Sequence, residues 1–124
     1  MSSTNKATSP TISEAINRYL EMVKLSRSRQ TFLAYKNALR VFREVLAEQW
    51  LEPDTTPIEK LTEDLISPLA GYLKTYAPAT EQLYLQAVKG FYEFIDSEHL
   101  AEINPTRVRV LIRQRSRRPG IRLP

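Results

Sequence analysis

A chain of 124 residues is the usual size of one domain and is long enough to bury a core without staples. It holds no cysteine, which excludes disulfides and thiolate metal sites, and no apolar run near the roughly 20 residues that span a membrane. The net charge of +4 is unevenly spread: residues 104–124 carry seven arginines and no acid, whereas the remainder carries 11 basic and 14 acidic side chains.

The first ten residues, MSSTNKATSP, contain no hydrophobic segment of the kind that directs secretion, so a cytoplasmic protein is expected. They are small and polar, offer little apolar surface to offset ordering entropy, and predict a disordered arm over 1–10. Thr11-Ile-Ser-Glu14 matches a capping box, in which the threonine oxygen accepts from a first-turn amide and the glutamate reaches back. Ile12, Ala15, Ile16, Tyr19, Leu20 and Val23 follow at helical spacing, predicting a first helix that ends near Leu25.

Ser26-Arg27-Ser28-Arg29 breaks that spacing. Ser28 is a suitable N-cap for a long second helix over 29–50. Phe32, Tyr35, Leu39, Phe42 and Leu46 step by three and four along one of its faces. Glu52-Pro53-Asp54 marks its exit. Ile58 and Leu61 read as apolar plugs in an extended approach to the next helix. Thr62 with Glu63 and Asp64 resembles a helix start, yet Pro68 conflicts with one uninterrupted helix from there. The spacing predicts a short turn over 62–66 and then a third helix over 67–76, with Ser67-Pro68 as N-cap and N1 and with Leu69, Tyr72, Leu73 and Tyr76 facing inward.

Ala77-Pro78 opens a fourth helix that runs to about Asp96 and buries Leu85, Val88, Phe91, Tyr92 and Ile95. Gly90 costs up to about 1 kcal/mol inside a helix, so close packing against a neighbour is expected there. A turn over 97–102 tucks Leu100 and Ile103 back. Asn104-Pro105 opens a last segment, a short helix or a strand-like arm, and residues 106–124 read as a basic linker. Strand signals are nearly absent, so the class is all-α, a four- to five-helix orthogonal bundle over 11–105.

Little here points to catalysis. The one histidine, His99, stands in a turn, and with no cysteine and no second histidine neither a metal site nor a cofactor is expected. The three glycines are too scattered for a phosphate loop, and no nucleophile is paired with a base. Binding is the better reading. The stretch from Lys24 to Arg43 contains no acid, and its Arg27, Arg29, Lys36, Arg40 and Arg43 lie mostly off the apolar face. Clustered cations neutralise phosphates, and a helix N-terminus adds free amides, with Thr31 offering a hydroxyl. The fourth helix offers Thr80, Gln82, Tyr84, Gln86 and Lys89, and glutamine can bond adenine with two groups at once. Double-stranded DNA is the expected partner. The competing reading is a helical protein–protein adaptor using Tyr72, Tyr76 and Tyr84. A standalone helix-turn-helix factor fits less well, because the sharpest turn leads into a 20-residue helix.

Four features in order give the chain a resemblance. TISEAINRYLEMVKLSRSR is followed by Thr31, Tyr35, Leu39 and Phe42 in a T-x-x-x-Y-x-x-x-L-x-x-F pattern, then by PIEKLTEDLISPLAGYL, then by PATEQLYLQAVKGFYEFIDSEHLAEINP. Across residues 11–105 the chain resembles the N-terminal core-binding, SAM-like domain of tyrosine recombinases, the phage-integrase class. The resemblance implies a domain that clamps the recombination-site duplex through its second and fourth helices and acts beside other recombinase protomers. Catalysis would then belong to a separate C-terminal domain, and this chain by itself is not an enzyme. By position, Thr31 and Thr80 match residues at the starts of the two DNA-facing helices, and Lys89 a common basic position. Leu83 and Tyr84 depart from the family, which often has arginine there.

Overall fold

Among the described residues, three helix starts are closed by side-chain caps. The computed structural model describes residues 9–116 and contains α1 (Ile12–Ser26), α2 (Arg29–Glu48), α3 (Ile66–Leu73), α4 (Pro78–Ser97) and α5 (Pro105–Arg115). Single 3-10 turns stand at Ile58–Lys60 and Glu63–Leu65, and no strand occurs among the described residues. The Thr11 hydroxyl accepts from the Glu14 amide at 3.1 Å, and the Glu14 carboxylate accepts from the Thr11 amide at 3.0 Å, completing the capping box. Ser28 accepts from the Thr31 amide at 3.1 Å, and Asn104 from the Arg107 amide at 3.1 Å. Each such cap is worth about 1 kcal/mol.

α3 departs from expectation. It begins at Ile66, one residue before Ser67, and Leu65 stands at its N-cap without a side-chain bond. Pro68 is thus the third helical residue, still within the first turn, where its missing amide costs nothing. The helix stops at Leu73, not 76, and closes with the Tyr76 amide donating to the Leu73 carbonyl at 2.9 Å. Leu69 and Leu73 are buried as expected, but Tyr72 is exposed and Tyr76 only half-buried.

α2 and α4 meet through Phe42, which packs edge-on against Phe91 and Tyr92 at centroid distances of 6.3 and 6.2 Å. α1 lies across both. Its Tyr19 ring contacts Tyr35 of α2 and Phe91 and Phe94 of α4, and its hydroxyl donates to the Ala87 carbonyl at 2.9 Å. Gly90 permits this approach: a Cβ there would stand 2.4 Å from the Tyr19 hydroxyl. Ile58 and Leu61, the expected plugs, are buried, although their segment is a 3-10 turn and not extended.

The packed body runs further in both directions than the expected 11–105. Pro10 accepts from the Ile58 amide at 2.9 Å, and Thr11 bridges to Pro57. At the other end the last segment is a helix. Val108 and Leu111 of α5 are buried, the Asn104 amide donates to Glu63 at 2.7 Å, and Arg107 pairs with Asp64. Val108, Leu111 and Ile112, spaced three and four apart, form the inner stripe that keeps α5 on the body. The rest of the expected arm, residues 1–8, and of the expected linker, residues 117–124, lies outside the described residues.

Two core phenols make stability fall at high pH. Burial first of all holds the Tyr19 and Tyr92 hydroxyls protonated above the ordinary tyrosine value of 10.0. Tyr92 also donates to the Thr62 carbonyl at 2.6 Å. Their pKa values are raised in the folded state, so the stabilisation is full below about pH 10 and is lost as pH rises above it, where the unfolded chain ionises first. A melting-temperature profile should be flat in this respect at neutral pH and fall beyond about pH 10. Tyrosinate absorbance should show two of the six tyrosines ionising only with unfolding.

Candidate nucleic-acid interface

The eleven candidate residues do not form one surface. α2 carries Arg29, Lys36 and Arg40 within about 40° of one another at 100° per residue. All three are exposed. Phe42, the residue α2 presents to α4, lies between about 120° and 160° around the helix from them. The cationic stripe of α2 therefore points away from α4. Within it Arg40 is paired with Glu44 at 3.1 Å. Arg43 leaves the set altogether. Its guanidinium donates to Ser13 at 2.9 Å and Asn17 at 3.2 Å of α1 and stands 3.7 Å from Asp54, so it ties α2 to α1 and to the loop after α2.

The α4 candidates divide as well. Gln82, Gln86 and Lys89 fall within about 60° of one another, whereas Thr80 and Tyr84 lie about 160° around the helix from Gln82. Thr80 and Tyr84 are half-buried, and the Tyr84 ring rests on Tyr76 at 5.7 Å.

One group is brought together. Arg27, at the end of α1, lines a groove of about 460 Å³ with Gln86 and Lys89 of α4, over a floor that includes Tyr19 and Tyr35. Thr31 sits one turn before Tyr35, about 40° around α2 from it. Its hydroxyl accepts from Ser28, whose own oxygen caps the helix. On the far side of the same α4 stripe, Gln82, Gln86 and Lys89 line a second groove, of about 300 Å³, with Ile112 and Ser116 of the α5 end. Lys89 and Gln86 thus stand on a ridge between two grooves.

Sequence reasoning missed two participants. Glu93 and Glu98 also line the first groove and bring negative charge to it. Glu93 is 3.6 Å from Arg109. Lys24 is occupied in another way, its ammonium 5.9 Å from the Phe32 ring centre. The Ile112–Ser116 wall belongs to a segment read as linker; Asn104-Pro105 followed by apolar residues three and four apart was the signal available for it.

This arrangement has cations and amides at a loop and helix start, with hydrogen-bonding side chains on an adjoining ridge. It has the parts to bind a polyanion and lacks a nucleophile–base pair. Among the described residues no group of three or more His, Cys, Asp or Glu is placed to hold a metal ion, and no helix is long and apolar enough to cross a membrane. A family model described as phage integrase, N-terminal SAM-like domain, matches residues 16–99, from within α1 to just past α4. No curated protein and no solved structure matches the chain.

Proposed function

The chain belongs to the phage integrase N-terminal SAM-like domain family, and from that membership we propose that it is the duplex-gripping part of a site-specific recombinase. It holds one face of the recombination-site DNA next to other recombinase protomers, while strand cleavage is left to a separate domain. Arg27 neutralises a phosphate just before the start of α2, with Thr31 and the first-turn amides beside it; Arg29 lies with Arg40 on the other stripe of α2. Lys89 meets a further phosphate. Gln82 and Gln86, one turn apart on α4, face the base edges. The observation that carries this reading is the convergence of Arg27 with Gln86 and Lys89 around one groove.

Titration of a labelled duplex at several salt concentrations tests it. Binding should weaken steeply with salt, because phosphate contacts release counterions. Arg27→Ala and Lys89→Ala should each weaken binding on the order of tenfold and lower the salt slope by about 1. Arg40→Ala, on the far stripe, should change little, and Arg43→Ala should lower the melting temperature before it lowers affinity. A flat salt response, or an Arg40→Ala loss equal to that of Lys89→Ala, overturns the assignment.

One observation favours a second reading. Tyr72, Tyr76 and Tyr84 form a chain of rings at 6.0 and 5.7 Å, with Tyr72 exposed, as an adaptor surface would require. Self-association in light scattering without any shift of DNA would favour that adaptor.

A further inference from the structure

Polar groups from both ends of α3 hold the end of α5. The Lys74 ammonium, at the C-cap of α3, donates to the Arg115 carbonyl in the last turn of α5. The same ammonium donates to the Glu81 carboxylate of α4 at 3.2 Å. Ser67, near the start of α3, accepts from the Arg115 guanidinium at 3.2 Å. Glu81 is fully buried, yet it stands in the first turn of α4, directly before Gln82. A carboxylate without solvent needs a cation, and the residue that supplies it also takes a helix-end carbonyl that has no partner within its own helix.

We infer that Lys74 is a positioning residue: through Glu81 and Arg115 it locks the last turn of α5 against α3 and α4 and so fixes where α5 ends. Ser116 lines the same groove as Gln82 and Gln86, so α5 ends beside the exposed stripe of α4. That stripe is the proposed duplex face, and the consequence for DNA rests on that reading: the lock holds the end of α5 on the side on which the duplex lies. The lock itself needs no DNA.

The experiment compares the full chain with a Lys74→Met, Glu81→Gln double variant, which removes the ion pair together and leaves no lone buried charge. Amide exchange is followed across all helices, and trypsin cleavage at the Arg115–Ser116 bond is timed without DNA present. The double variant should keep its melting temperature within a few degrees, while exchange in 111–116 and cleavage at Arg115 accelerate on the order of tenfold. Restoring the pair with Lys74→Arg alone should recover most of the protection. Unchanged exchange and cleavage at the α5 end overturn the inference, as does acceleration spread equally over every helix. Should the double variant fail to fold, Lys74→Gln serves instead, because it removes the ammonium while keeping a donor for Glu81: local acceleration at 111–116 supports the lock, and its absence sinks it. Because the assay contains no duplex, its failure and a failure of DNA binding are read separately.

Discussion

Replacing Phe42 with alanine should destabilise the domain by about 3–5 kcal/mol, the range for an aromatic removed from a packed core. Phe42 is fully buried where α2 meets α4, and its ring is edge-on to both Phe91 and Tyr92. The loss therefore combines three effects. Apolar area returns to water, a cavity opens between two helices that cannot close over it, and two aromatic contacts disappear, each worth about 0.5–1.5 kcal/mol beyond area alone. Native domains are stable by only about 5–15 kcal/mol, so this one residue holds a large share of the whole. Urea unfolding followed by far-ultraviolet circular dichroism should show a lower midpoint with an unchanged slope. Tryptophan emission is a poor probe here, because Trp50 is 92 % exposed in the native state. A shift under about 1 kcal/mol would mean that the α2–α4 contact repacks freely, contrary to the interlocked rings.

Gly90→Ala should destabilise by about 1–3 kcal/mol, the usual cost of overpacking. Helix propensity alone demands the opposite sign, since alanine is favoured over glycine by about 1 kcal/mol inside a helix. Packing wins because the new methyl would meet the Tyr19 hydroxyl at 2.4 Å, and that hydroxyl is not free to swing away. Its ring is wedged among Tyr35, Phe91 and Phe94, and it donates to the Ala87 carbonyl. The double variant with Tyr19→Phe provides the control. Tyr19→Phe alone gives up one buried hydrogen bond, about 1 kcal/mol, but it also removes the clashing oxygen. The next ring atom would be 3.4 Å from the new methyl, a tolerable contact. The two substitutions together should then cost less than their sum, a coupling that a thermal-melt double-mutant cycle measures. A higher melting temperature for Gly90→Ala alone would show that α1 and α4 are not in close contact at this point.

The places where the chain pattern and the folded molecule part company share a cause. Pro68 announced a break, but whether the helix began before or after Ser67 depended on Ile66, an apolar residue with a buried place to fill. Tyr72 has the right spacing to face inward with Leu69, yet α3 is too short and too near the surface to bury a third side. The arginines of 107–115 suggested a solvated linker, while Val108 and Leu111 between them were enough to seat a helix whose polar side is neutralised by Asp64 and Glu93. In each case short-range pattern gave a residue's angle on its own helix, and a neighbour distant in sequence decided what stood opposite.

The amino-acid order alone determined the helix starts at Thr11, Ser28 and Pro78, the apolar faces of α2 and α4, the need for close approach at Gly90 and the all-α class. These follow from local hydrogen-bond satisfaction and from a fixed 3.6-residue period, which a short window of chain already contains. Only the tertiary structure decided which cations share a surface. Arg40 and Arg43 are three residues apart and equal in charge, yet one faces water beside Glu44 and the other is held by Ser13, Asn17 and Asp54. Arg27 and Lys89, 62 positions apart, border a common groove. Periodicity fixes angles within a helix; the rotation of one helix against another is set by how their side chains interlock, and that is where Phe42, Tyr19 and Gly90 act.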